Sequence, residues 1–81
     1  MTIDVLFFAM LRDVTHTDKT QVQTAAESTI ATLFSQLCEE YHGLNKYEKI
    51  IRFAVNGEYR NSQYKMQNND EVALIPPISG G

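Results

Sequence analysis

Between Thr29 and Gly43 the chain carries a single helical stripe. Ile30, Leu33, Phe34, Leu37, Cys38 and Tyr41 recur at the spacing that puts apolar side chains on one side of a helix. Thr29 suits the position before the first turn, and Gly43 stands where a left-handed cap is expected. The other apolar segments are short and strand-like: "TIDVLFFAM", "KTQVQT", "IIRFAV", "EYRNS" and "EVALI". One amphipathic helix covers one face of one sheet, and 81 residues support one core. A two-layer α+β domain follows.

Alternation in the first segment places Ile3, Val5, Phe7 and Ala9 on one face and Asp4, Leu6, Phe8 and Met10 on the other. Both faces are apolar after Asp4, which suits a central strand. "LRDVTHTD" reads as a polar connection and "LNKYEK" as a short turn. Asn56-Gly57 is a strong hairpin signal, and "QNND" is a second turn. Pro76-Pro77 ends the last strand, because neither residue donates to a ladder. The order is strand-strand-helix-strand-strand-strand. With the first and last strands side by side in the centre, it makes a ubiquitin-like β-grasp, one mixed sheet of about five strands on one main helix. The expected division is a domain over residues 1–77 and a flexible tail over residues 78–81.

Composition removes several functions. The net charge is −3 and the seven Lys and Arg residues are scattered, which disfavours nucleic-acid binding. The longest apolar run, "VLFFAML", is far short of the ~20 residues that span a bilayer, and the start has no charged leader pattern. A cytoplasmic domain is expected. Cys38, His16 and His42 give no metal-ligand spacing. Cys38 lies in the helical stripe and reads as a small buried hydrophobe rather than a nucleophile. Glu39-Glu40 and Asp70-Glu71 read as solvated faces, since adjacent residues diverge on helices and strands alike.

No catalytic set remains except the terminus. After Pro76-Pro77, the residues Ile78, Ser79, Gly80 and Gly81 can extend ~13–14 Å from the sheet. Glycines without Cβ atoms let a narrow channel close on the backbone. A carboxylate joined to AMP as a mixed anhydride becomes an electrophile for sulfur or an amine. A frayed terminus has the same composition.

Taken with the element order, "VLFFAMLRD", "FAVNGEY" and "NDEVALIPPISGG" resemble the MoaD/ThiS family of sulfur carriers, in its molybdopterin-synthase branch. The resemblance spans the whole chain and implies a role in molybdenum cofactor biosynthesis. It implies that an E1-like adenylyltransferase activates the Gly81 carboxyl with ATP, and that a persulfide donor turns it into a thiocarboxylate. The tail, Ile78 to Gly81, would then enter the active site of a large synthase subunit, in a heterotetramer of two small and two large chains. Sulfur would pass to cyclic pyranopterin monophosphate. No cofactor or metal is expected on the chain itself, nor nucleic acid or membrane as a partner.

If Val72 and Leu74 face the helix, Ala73 and Ile75 face outward with Leu6, Phe8 and Met10. Tyr59 is placed beside them, and Phe8, Tyr59 and Ile75 are the expected docking residues. A carrier for thiamine or another pathway, a ubiquitin-like protein modifier and a non-catalytic adaptor are the rival readings.

Overall fold

The computed structural model describes residues 1–77, so Ile78, Ser79, Gly80 and Gly81, with the roles expected of them, lie outside the described residues. Alternation is realised in β1 (Thr2–Phe7), where Ile3, Val5 and Phe7 are buried and the residues between them are not. The strand stops at Phe7, short of Met10. Ala9 takes a left-handed φ of 52°, and Leu11 N–H donates to the Phe8 carbonyl at 3.1 Å. Ala9 is therefore exposed at a turn instead of sharing the core face with Ile3.

The supposed polar connection contains a short helix, α1 (Leu11–Thr15). Leu11 and Thr15, four apart, face inward, and the Thr15 hydroxyl donates to the Leu11 carbonyl at 3.0 Å and the Thr17 carbonyl at 2.8 Å. With one buried apolar residue, α1 is too short to show a helical period in sequence. Strand β2 (Lys19–Gln23) pairs antiparallel with β1 and directs Val22 into the core opposite Ile3.

The main helix is α2 (Ile30–Glu40), with the Thr29 hydroxyl accepting from Thr32 N–H at 3.3 Å. Ile30, Leu33, Phe34 and Leu37 are buried, while Cys38 and Tyr41 sit half-buried at the margin. Gly43 is left-handed, as its residue type suggested, yet α2 has already ended at Glu40. Tyr41 is extended and sets its ring edge-on against Phe7, with centroids 5.5 Å apart. Gly43 instead opens a 3₁₀ turn, Leu44–Tyr47, that buries Leu44.

Strands β3 (Arg52–Val55) and β4 (Glu58–Arg60) form the hairpin around Asn56 and Gly57, both with positive φ as a two-residue primed turn requires. Strand β5 (Glu71–Ile75) completes the sheet. The order is β2-β1-β5-β3-β4, with β1 and β5 parallel at its middle. This is the ubiquitin-like β-grasp.

Asp70 departs from the solvated-face reading and is only 7% exposed. One carboxylate oxygen accepts from the Asn56 side chain at 3.0 Å, and the other accepts from Gln67 N–H at 2.8 Å. The Asn56 side-chain oxygen in turn accepts from Glu71 N–H at 3.0 Å. The hairpin is thereby tied to the start of β5, the strand that carries the chain to Pro76. Each of these groups would otherwise meet poor solvation at a crowded turn.

Candidate functional site

Sheet register assigns each side chain to a layer. Val5 beside Val72, and Phe7 beside Leu74, lie under α2. Leu6, Ala73, Ala54 and Tyr59 therefore run in one row across the opposite face, strand by strand. Ile75 joins that face opposite Arg52. Val72 and Leu74 thus face the helix while Ala73 and Ile75 face away, as the alternation required.

Where β5 ends, the chain leaves beside an open cavity of about 620 Å³. Among the described residues it is lined by Phe8, Ala9, Met10, Ile75, Pro76 and Pro77, with Arg12 as the one charged residue. Phe8 is 45% exposed, an unusual position for a phenylalanine directly after the fully buried Phe7. Pro76 is buried and Pro77 exposed, so the exit from the sheet is anchored on one side. Among the described residues the ion pairs are Arg60–Glu58 and Lys65–Glu27, neither involving Arg12.

The expected docking residues are only partly brought together. Phe8 and Ile75 line the same cavity. Tyr59, 66% exposed, lies at the other end of the row and borders a separate groove with Phe34, Phe53 and Arg60. Met10 is not on the outer sheet face. It caps the start of α1, half-buried against the core, and reaches the cavity from the turn. The sequence did not mark Ala9, Arg12, Pro76 or Pro77 as lining residues. Arg12 lies in a segment that reads as a polar connection and Ala9 at the end of one that reads as a strand, so neither carried a signal.

Ala9 is notable because left-handed backbone costs an L-residue other than glycine roughly 1–2 kcal/mol. Its own methyl side chain cannot offset this by a local hydrogen bond, as the amides of Asn56 and Asn69, which also have positive φ, can.

Cys38 has neither the setting nor the charge of a nucleophile. Burial first, and then the Glu48 carboxylate, push its thiol above the ordinary range, so it stays protonated at neutral pH. Cys38→Ala is expected to leave the protein's activity unchanged and to lose about 1 kcal/mol of stability or less, measured by an activity assay and denaturant unfolding. Lost activity with an intact fold would give the thiol a chemical role. Among the described residues, no group of His, Cys, Asp and Glu side chains is arranged to hold a metal ion, and no helix is long and apolar enough to cross a membrane.

The ThiS family model matches residues 5–81 of the chain. The molybdopterin synthase sulfur carrier subunit of Chlamydomonas reinhardtii is 35% identical over 83 residues, covering 100% of both chains. Among solved structures, SAMP1 from Haloferax volcanii superposes with a TM-score of 0.88 at 23% identity, covering 100% of each chain. The complex of subunits 1 and 2 of the molybdopterin-converting factor from Helicobacter pylori gives a TM-score of 0.71 at 21% identity, again covering 100% of each chain. At these identities the two structures speak for the fold.

Proposed function

The chain belongs to the ThiS family, and from that membership we propose that it is the sulfur carrier subunit of a molybdopterin synthase. The observation that carries this reading is full-length similarity to a subunit of that name, at 35% identity and with both chains covered from end to end.

In this reading the Gly81 carboxylate attacks the α-phosphorus of ATP on an E1-like adenylyltransferase, and pyrophosphate leaves. A persulfide sulfur displaces AMP from the acyl carbon, and a thiol reduces the resulting acyl disulfide to a thiocarboxylate. Ionised at neutral pH, the terminal sulfur is a strong, soft nucleophile toward cyclic pyranopterin monophosphate. Two such transfers form the dithiolene. Acid–base and phosphate-binding groups come from a large subunit, in a heterotetramer of two small and two large chains in the cytoplasm. ATP is used by the activating enzyme and is not held by the carrier.

The domain's part is to dock and to aim. Exposed apolar surface on a small domain usually marks a partner site, and here it surrounds the exit of the tail. Two partners must bind the carrier in turn, and a shared patch at the exit brings the same terminus to both active sites. The Helicobacter pylori structure, a complex of two converting-factor subunits, supports a large-subunit partner.

Intact mass of protein isolated from cells tests the proposal. Replacement of one terminal oxygen by sulfur is expected, and the thiocarboxylated protein should convert the pterin precursor when mixed with the large subunit. Covalent ladders on other proteins, without the sulfur form, would identify a protein modifier instead.

A further inference from the structure

We propose that Ala9 is a positioning residue whose left-handed backbone holds Phe8 at the rim of the tail-exit cavity and thereby sets affinity for the large subunit. The inference rests on the docking role proposed above and assigns that role a structural cause.

Phe8 is the last residue tied to the sheet, through its N–H to the Leu74 carbonyl at 3.4 Å, and the first of the turn, through its carbonyl. Ala9 at φ 52° and Met10 at φ −61° and ψ −21° reverse the chain after it, and Leu11 returns to the core. Continued extended, Ala9 would carry the strand past Pro76 and pull Leu11 away from its buried site. The reversal keeps Phe8 45% exposed beside Ile75.

Glycine would enter this turn without strain, yet the position carries a methyl group, exposed and filling no part of the core. The two described glycines with positive φ sit at 95° and 88°, beyond the small left-handed well open to alanine, whereas 52° falls at its edge. That well is narrow. Once the surrounding hydrogen bonds place Ala9 in it, the turn has few other conformations, and Phe8 is ordered before docking begins. A glycine would leave several conformations to be lost on binding.

The test uses full-length Ala9→Gly, Phe8→Ala and the double variant, titrated calorimetrically with purified large synthase subunit, with melting curves alongside. Ala9→Gly is expected to bind about twofold to tenfold more weakly, the range that ordering one turn covers. Its melting temperature should change little, because relieved strain and the wider unfolded ensemble of glycine oppose each other. In the Phe8→Ala background, Ala9→Gly should have no further effect, since Ala9 acts through Phe8. Wild-type affinity in Ala9→Gly, or an equal loss with and without Phe8, would overturn the inference. Wild-type affinity in Phe8→Ala would instead remove the docking role of this cavity.

Discussion

Removal of Gly81 is expected to abolish sulfur transfer while the melting temperature hardly changes. Among the described residues the core runs from Ile3 to Leu74, and β5 ends at Ile75. A deletion at Gly81 leaves every one of these core residues in place. It does withdraw the terminal carboxyl by up to ~3.6 Å, and a misplacement of about 1 Å already costs on the order of a hundredfold in rate. One added residue is equally disabling, because a peptide bond then occupies the place of the acyl-adenylate. A tag at Met1 should be tolerated. Since β1 runs parallel to β5, the start of β1 lies at the end of the sheet opposite the tail exit. The measurements are ATP-dependent thiocarboxylation and pterin conversion with the large subunit, beside a thermal melt. Full activity in the Gly81-deleted form, with its fold intact, would end the carrier reading and favour an adaptor.

Two neighbouring phenylalanines should give opposite results. Phe7 is 1% exposed, paired beside Leu74 and edge-on to Tyr41. Phe7→Ala removes a ring from the centre of the core and should destabilise by about 3–5 kcal/mol. For a domain whose total stability is of the order of 5–15 kcal/mol, the melt should fall by about 15–30 °C. Phe8→Asp or Ile75→Asp should leave the isolated domain folded and weaken docking by about 2 kcal/mol or more, roughly thirtyfold. Denaturation curves and calorimetric titration separate the two effects. Unfolding of Phe8→Asp would assign that ring to the core, and unchanged affinity would move the docking surface elsewhere, toward the groove that Tyr59 borders.

Much of the fold was legible in short windows. The stripe from Ile30 to Tyr41 identified α2 and its buried face, and Thr29 proved to be its cap. Asn56-Gly57 marked the hairpin, and Pro76-Pro77 the end of β5. The apolar doubling after Asp4 placed β1 in the interior of the sheet, where it pairs with β5. These features depend on backbone sterics and on the period of one helix or strand, so they act over a few residues and leave their mark in sequence.

Asp70, Ala9 and Tyr59 show what such windows omit. Asp70 is buried because Asn56, fourteen positions earlier in the chain, turns back to meet it. Ala9 is left-handed because Leu11 must reach the core after β1 has been aligned with β5. Tyr59 stands apart from Phe8 because β5 and β3 come between β1 and β4. The residues themselves determined the helix, the hairpin, the strand alternation and the stop at Pro76-Pro77, through short-range conformational preference. The tertiary structure alone decided the tail-exit cavity, the strained turn and the division of the apolar surface. These arise from pairing between segments far apart in the chain, and no local preference records which segment will be the neighbour.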